Sequence, residues 1–230
     1  MNAEQLQKTL RASQYAELVL GNHSIFLEQD YAIDQFINPL TTQQIQHIVQ
    51  TSLDQLTDEA TWMREIRILR ARLMFRWIWQ DANQLTDVVT LTRELSDFAD
   101  ATICAAKDFA RIPLVAKHGE PVGYNGKVQD LIVVAMGKLG AQELNLSSDI
   151  DLIFAFDEQG ETNGRKCIDV QQFCILWGQK LIYLLDHISA DGFVFRVDMR
   201  LRPWGDGSAH AISHVALEKY LSQHGREWER

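Results

Sequence analysis

The sequence has few cysteines and no long apolar segment, and both absences narrow the kinds of protein it can be. Its 230 residues include three cysteines, and none of these forms a CxxC pair. Such a small number favours reduced thiols over the disulfide framework of a small secreted protein. The first residues, MNAEQLQKTLRASQ, lack the apolar region of a secretory signal, and no apolar run is long enough for a transmembrane helix. We therefore expect a soluble, cytoplasmic protein with no membrane partner.

The chain is also poor in positive charge. Lysine and arginine number 22 against 31 aspartates and glutamates, which gives a formal net charge of −9 and a pI of about 5.2. Non-specific nucleic-acid binding needs a basic surface, so nucleic acid is not an expected partner, although a local basic cluster could still bind a nucleotide. With 46% hydrophobic and 23% charged residues, the composition is that of a globular protein with a sizeable core.

Several familiar catalytic and metal-binding motifs are missing. There is no GxSxG elbow, and the seven histidines show no HExxH or paired zinc spacing. The Gly-Lys at 137–138 does not end a Walker A motif, because Leu139 stands where Ser or Thr is required. Residues 157–168 imitate an EF-hand loop, but Thr162 replaces its glycine and Ile168 its final glutamate.

The first half of the chain carries helical periodicity. Helices are predicted at 4–20, 41–56, 59–80 and 86–109. In the third of these, Trp62, Ile66, Leu69, Leu73 and Trp77 form one apolar stripe, and Arg64, Arg67, Arg70, Arg72 and Arg76 are assigned to its surface. Pro113 is expected to end the fourth. We predict a helical domain over residues 1–115.

The second half mixes strand and helix patterns. A glycine-rich stretch at 116–130 is interpreted as a linker or hairpin. Strands are predicted at 131–136 (buried), 150–156 and 193–199, a turn or flexible loop at 157–165, and helices at 167–189 and 213–223. A helical half followed by mixed elements indicates an α+β fold, with a second domain over residues 116–230.

Two carboxylates open the second predicted strand. Asp149 and Asp151 are two residues apart, so their side chains are expected to share a face, where like charges repel. A divalent cation such as Mg²⁺, which prefers oxygen ligands and substrate phosphates, would relieve that repulsion. The glycine turn at 137–140 allows close backbone approach to a ligand. The alternative is that both aspartates are simply solvated at a strand end.

A third acid and several arginines accompany the next strand. Asp198 could complete a two-metal site, or it could form an ion pair with a flanking arginine. Arg196, Arg200 and Arg202, with Lys138 nearby, could bind phosphate. The alternative for each arginine is an ordinary solvated surface.

Three segments together resemble one family. VVAMGKLGAQELNLSSDIDLIFAF, ADGFVFRVDMRLRPWGDGS and GREWER, preceded by the helical segment 64–103, are similar to the glutamine synthetase adenylyltransferase family (glutamate–ammonia-ligase adenylyltransferase). The resemblance covers most of the chain from about residue 60. The forms ELN-SSDIDLIF and RVDMRLRPWGD are typical of the amino-terminal, adenylyl-removing domain, whereas second domains more often read ELGYGSDLDL and EVDxRLRPSG. Because whole family members are far longer, we expect this chain to be a fragment.

The resemblance implies a fold and a set of site residues. The fold would be a helical region followed by a nucleotidyltransferase (DNA polymerase beta-like) mixed sheet flanked by helices. Asp149, Asp151 and Asp198 would be the catalytic and metal-binding acids for Mg²⁺. The nucleotide- or phosphate-binding candidates would be Gly137, Lys138, Ser148, Arg200 and Arg202. Lysine at 138 replaces a frequent superfamily serine, so the group that contacts phosphate stays open.

The resemblance also implies an activity with two alternatives. The first is metal-dependent phosphorolysis, which removes AMP from an adenylylated tyrosine of glutamine synthetase and yields ADP. The alternatives are transfer of AMP from ATP to glutamine synthetase, and a non-catalytic fragment that binds glutamine synthetase. The implied partners are glutamine synthetase, ATP or ADP, inorganic phosphate and, through the full-length enzyme, the nitrogen-regulatory PII protein.

Overall fold

The computed structural model describes residues 3–22 and 38–225. By backbone proximity these residues form two compact units. The first, here called the helical unit, contains the described residues up to Thr102 together with Gln142–Ser148 and Ile188–Val194. The second, the sheet unit, contains Ile103–Ala141, Asp149–His187 and the described residues from Phe195 onward. The domain boundary predicted near residue 115 stays a prediction. The last five residues of the GREWER motif lie outside the described residues.

The helical unit is built from short and long helices in sequence order. These are α1 (Ala3–Ala12), α2 (Gln14–Asn22), α3 (Thr42–Leu53), α4 (Glu59–Ala82) and the first part of α5 (Val88–His118). The prediction of a single helix over 4–20 is wrong, because the helix is interrupted at Ser13. The Ser13 hydroxyl accepts a hydrogen bond from the Ala16 amide (3.2 Å) and so begins α2 as a cap.

Helix α4 is confirmed, but the prediction that all its arginines lie on the surface is wrong. The apolar stripe is buried as expected, with Ile66 and Trp77 both fully inaccessible. Arg67 and Arg76 are each only 1% exposed, because α4 packs against α1, α2 and α3. Arg67 donates to the carbonyls of Met63 (2.7 Å) and Gly192 (2.9 Å). A helix enclosed on several sides needs partners for its polar residues as well as its apolar ones.

Helix α5 runs past the proline that was expected to end it. Pro113 lies inside the helix, which reaches His118. A proline removes one backbone donor, and the loss is tolerated where other contacts hold the helix. In the sheet unit, Arg111 forms an ion pair with Glu120 and lies over the Trp177 ring, 5.8 Å from its centroid. These contacts fix the last turns of α5.

The sheet unit contains a mixed four-stranded sheet and a two-stranded one. The larger sheet has β2 (Ile132–Met136), β3 (Ile150–Phe156), β5 (Val197–Asp198) and β6 (Ala211–Ser213). The smaller pairs β1 (Pro121–Gly123) with β4 (Gly160–Thr162), antiparallel. Strand β2 runs antiparallel to β3, whereas β5 and β6 both pair parallel with β3, β5 at its start and β6 at its end.

Helices complete the sheet unit. They are the single-turn α6 (Gly137–Gly140), α7 (Val170–Asp186) and α8 (His214–Gln223), with a short 3₁₀ turn at Gly205–Gly207. Helix α7 packs closely on β3: a Cβ atom added at Gly178 would lie 2.4 Å from the Phe154 ring. The fold is therefore α+β, a mixed sheet with flanking helices, as predicted. None of the helices in the described ranges combines the length and apolarity needed to cross a bilayer.

The shorter strands differ from the predictions. The strand predicted at 193–199 is reduced to Val197–Asp198. Val194 and Phe195 are both buried, so this stretch does not alternate between faces as a strand does. The loop predicted at 157–165 contains β4, and β6 was not predicted. Strand β2 is only half-buried, because β3 pairs with it along one side and no further strand is described beyond it.

Candidate functional site

The predicted acidic residues meet where β3 and β5 begin to pair. In the parallel register, Ile150 lies opposite Val197 and Asp151 lies directly opposite Asp198. Asp149 lies just before β3, close enough for its negative charge to act on Asp151. The three carboxylates are therefore near one another at one end of the sheet.

Asp151 and Asp198 are half-buried, whereas Asp149 is exposed. Burial raises the pKa of the Asp151 carboxyl group above the ordinary value, and the negative charges of Asp198 and Asp149 raise it further. The Arg200 guanidinium acts in the opposite direction but does not cancel these effects. Asp151 is therefore the carboxylate that would gain most from a nearby cation.

Asp198 is held by Arg200, two residues further along the chain. The Arg200 Nε and Nη2 donate to Asp198 Oδ2 at 2.8 and 2.5 Å, and the Arg200 amide donates to Oδ1 at 2.8 Å. These bonds, led by those from the side chain, lower the pKa of the Asp198 carboxyl group. The Asp198 side chain is 15% exposed and that of Arg200 is 78% exposed, so the arginine covers the acid from the solvent side.

Asp149 has a different arginine partner. Arg196 Nε donates to Asp149 Oδ1 at 2.5 Å, and both side chains are substantially exposed, at 58% and 44%. The sequence analysis considered Arg196 for phosphate binding and did not foresee this pairing. It depends on the register between β3 and β5, which periodicity alone does not give.

The three carboxylates suit a hard divalent cation, but two of them form ion pairs with arginines. In the described ranges, no three His, Cys, Asp or Glu side chains converge closely enough to hold a metal ion as they stand. Carboxylate oxygens are the ligands that Mg²⁺ prefers, and Asp149 and Asp198 each direct an oxygen to a guanidinium. The residues therefore fit such an ion chemically, provided that these side chains turn. Magnesium at this site stays a prediction.

Gly137 lies directly against the central acid. It follows β2 and begins α6, and its φ of +56° favours glycine. A Cβ atom at this position would lie 2.5 Å from Asp151 Oδ2. The structure thus places the predicted glycine turn beside Asp151, with Lys138 exposed on the same turn.

The two other predicted ligand-binding residues have local roles in the structure. Arg202 is 8% exposed, and its Nη1 donates to the Met199 carbonyl at 2.8 Å. The Ser148 hydroxyl donates to Asn145 Oδ1 at 2.9 Å, in the segment that belongs to the helical unit. Their part in nucleotide binding stays a prediction.

The mixed sheet with flanking helices, and with acids grouped at the start of two paired strands, is a nucleotidyltransferase-like fold. More specifically, the chain belongs to the family described as glutamate-ammonia ligase adenylyltransferase, whose model matches residues 3–230.

Three similar proteins agree with this assignment. A bifunctional glutamine synthetase adenylyltransferase/adenylyl-removing enzyme of Acinetobacter baylyi is 80% identical over 230 residues, which cover 100% of this chain and 25% of that protein. Proteins of the same name from Thioalkalivibrio sulfidiphilus and Hahella chejuensis are 46% and 50% identical over 84% and 73% of this chain, and over 20% and 18% of their own lengths. The chain thus spans a quarter or less of these relatives.

Proposed function

We propose that this chain carries the adenylyl-removing activity of its family. The substrate is the adenylylated tyrosine of glutamine synthetase, the attacking group is inorganic phosphate, and the products are ADP and the unmodified tyrosine. The observation that carries this proposal is the pairing of Asp151 with Asp198 on adjacent strands, with Asp149 just before β3 and near Asp151. The motif form ELNLSSDIDLIF and the adenylyl-removing activity in the relatives' name support it further.

The residues of the chain have distinct tasks in this reaction. Asp149, Asp151 and Asp198 would hold Mg²⁺, which would neutralise charge on the α-phosphate and on the leaving tyrosinate. A phosphate oxygen forms a bond to the α-phosphorus, the bond from phosphorus to the tyrosine oxygen breaks, and the proton lost by phosphate neutralises the phenolate. No protein nucleophile is needed, because positioning and charge neutralisation carry this kind of transfer.

The anionic groups of the substrate need cationic and backbone partners. Gly137 lets the chain pass close to Asp151, and the exposed cations Lys138 and Arg200 would oppose phosphate charge. In this proposal the protein regulates nitrogen assimilation in the cytoplasm, and PII protein acts through the remainder of the full-length enzyme.

A second candidate is the reverse type of transfer, from ATP to unmodified glutamine synthetase. The relatives' printed name includes both activities, and the same acids would serve either one. The third is a module that binds glutamine synthetase without catalysis. It would be favoured if calorimetric titration with Mg²⁺, with and without nucleotide, gave no heat of binding.

The decisive experiment compares two reactions of the same purified chain. One contains adenylylated glutamine synthetase and phosphate, with ADP as the readout, and the other contains unmodified enzyme and ATP. We expect ADP from the first reaction, and neither pyrophosphate nor adenylylated glutamine synthetase from the second. We expect Asp151→Asn to reduce the rate of ADP formation about a thousand-fold or more. Asp108→Asn, the same chemical change at an exposed position of α5 in the sheet unit, is the matched control. Near-normal turnover by Asp151→Asn would end the proposal.

A further inference from the structure

We propose that Arg196 is a phosphate-responsive latch on the metal site. In the ligand-free protein it holds Asp149, and an incoming phosphate group draws its guanidinium away and frees Asp149 for the metal. This inference rests on the proposed function, since it assumes that the three acids bind a divalent cation. It adds a positioning residue and a specific coupling between two ligands.

The strand register places Arg196 at the fourth corner of the acidic site. Asp151 and Asp198 are direct neighbours across β3 and β5. The residues two positions earlier along the chain, Asp149 and Arg196, lie just before these two strands. Their side chains are in contact, with Nε 2.5 Å from Oδ1. Three corners of this arrangement are therefore negative and the fourth is positive.

The backbone holds Arg196 in place while its side chain can move. The Ile150 amide donates to the Arg196 carbonyl at 2.9 Å, which extends the parallel ladder by one residue beyond β5. The side chain itself is 58% exposed. Exposed ion pairs contribute little to stability, so exchanging one partner for another costs little free energy. The main chain thus fixes where the guanidinium starts, and solvent access lets it turn.

Arg196 and Arg200 bind their acids through different contacts. Arg200 binds Asp198 through both its side chain and its own amide, and the two are close neighbours in sequence. The Arg196 pair instead joins residues 47 apart along the chain, and the acid it holds is 44% exposed. Asp149 is therefore the carboxylate that a competing anion would release most readily.

The exchange makes phosphate and metal binding cooperative. A metal ion alone must displace Arg196 from Asp149, whereas a phosphate group offers the guanidinium bidentate acceptors in return. Each ligand then raises the affinity for the other by the same factor, as thermodynamic linkage requires. Without Arg196, a metal ion would bind Asp149 without displacing an arginine. Phosphate could then no longer assist metal binding by drawing that arginine away.

Calorimetry with Mn²⁺ tests this mechanism on the purified chain. Mn²⁺ is titrated alone, with AMP and with inorganic phosphate, into the unmodified sequence and into Arg196→Gln. We expect AMP and phosphate to tighten Mn²⁺ binding in the unmodified sequence. In Arg196→Gln we expect Mn²⁺ alone to bind about two- to five-fold more tightly, the factor that loss of one exposed ion pair gives. The effect of AMP and phosphate should fall to the part that direct coordination of phosphate by Mn²⁺ supplies.

Two variants separate the latch from a general effect of charge. Arg165→Gln removes an exposed positive charge from the same unit, outside the acidic site, and should bind Mn²⁺ like the unmodified sequence. Arg196→Lys keeps the charge and should restore most of the coupling. If Arg165→Gln tightens Mn²⁺ binding as much as Arg196→Gln does, or if Arg196→Lys behaves like Arg196→Gln, the latch is wrong.

The outcomes also distinguish this inference from the function on which it rests. Failure of the unmodified sequence to bind Mn²⁺ under any of the three conditions counts against both the proposed function and the latch. Normal Mn²⁺ binding with coupling that is undiminished in Arg196→Gln overturns the latch alone. Circular dichroism of each variant verifies that the fold is intact before binding is compared.

Discussion

Two arginine–carboxylate pairs, one in each unit, use the same charged groups in opposite surroundings. In the helical unit, Arg76 Nη1 donates to Glu94 Oε2 at 2.6 Å, and the two side chains are 2% and 3% exposed. In the sheet unit, Arg196 and Asp149 are 58% and 44% exposed. The chemical groups are alike, but water reaches only the second pair.

The surroundings decide what each pair can do. Glu94 also accepts hydrogen bonds from Trp77 Nε1 (2.8 Å) and the Leu40 amide (3.0 Å), so both its oxygens have partners. Removing one member of a buried pair leaves an uncompensated charge in the interior, which is strongly destabilising. An exposed pair can exchange partners at little cost. The buried pair is suited to fixing helices, and the exposed pair to responding to ligands.

The largest stability effect should come from the buried pair. We expect Arg76→Met to lower the free energy of unfolding by about 3–5 kcal/mol, because Glu94 is left charged and buried. Urea denaturation followed by circular dichroism measures this. Arg64→Met is the matched control on the same helix, since that side chain is 63% exposed. Equal effects of the two substitutions would show that the buried pair has no special role.

The next largest effect should come from Gly137→Ala. The positive φ disfavours alanine by about 1–2 kcal/mol, and the added Cβ would displace the Asp151 carboxylate. We therefore expect reduced stability together with weaker Mn²⁺ binding. Gly126→Ala is the control, because its φ is +77° with nothing within 4 Å of the added atom. It should lose stability while keeping metal affinity, and weaker Mn²⁺ binding by both variants would contradict the steric explanation.

A smaller effect, of opposite sign, is expected for Asp151→Asn without metal. The pKa of Asp151 is raised in the folded state, so the folded protein binds this proton more tightly than the unfolded chain does. The resulting stability is fully present below the unfolded pKa, near 3.9, and is lost as pH rises through the folded pKa.

Melting curves in EDTA over a range of pH measure this effect. At neutral pH we expect Asp151→Asn to melt about 2 °C above the unmodified sequence, with the difference vanishing towards pH 3. Asp108→Asn should show no such pH-dependent gain. An asparagine variant that melts lower at neutral pH would mean that Asp151 makes stabilising contacts that outweigh its desolvation.

The smallest stability effect should come from Arg196→Gln. Loss of an exposed pair is expected to change the free energy of unfolding by no more than about 1 kcal/mol, even though it changes metal affinity. The same denaturation assay used for Arg76→Met provides the comparison. A loss as large as that of Arg76→Met would remove the contrast between the two pairs and would make Arg196 a structural residue.

The elements predicted correctly are those with a long periodic segment or a distinct apolar run. Strand β3 has the predicted bounds, Ile150–Phe156, and α4 differs from its prediction by two residues at one end. Strands β4, β5 and β6 have two or three residues each, too few to show a period, and tertiary pairing creates them. Pro113 could not be placed inside a helix by local rules, because distant contacts support it there.

The site was foreseen as a set of residues but not as an arrangement. The spacing of Asp149 and Asp151 indicated a shared face, and the resemblance added Asp198. Which acids are half-buried, and which arginine holds which acid, depend on the alignment of β3 with β5. Two strands far apart in sequence determine that alignment, so no local pattern contains it.

Two short strands share one side of β3, and only β5 carries an acid of the site, whereas β6 supports the sheet. Strand β5 adjoins Ile150 and Asp151, whereas β6 adjoins Phe154 to Phe156. Because β6 pairs separately with the other end of β3, the two-residue pairing of β5 with β3 can open locally without disrupting the core. We therefore expect the amide protons around Asp198 to exchange with solvent faster than those of β6. This exchange would occur through local opening of the strand pair and not through global unfolding.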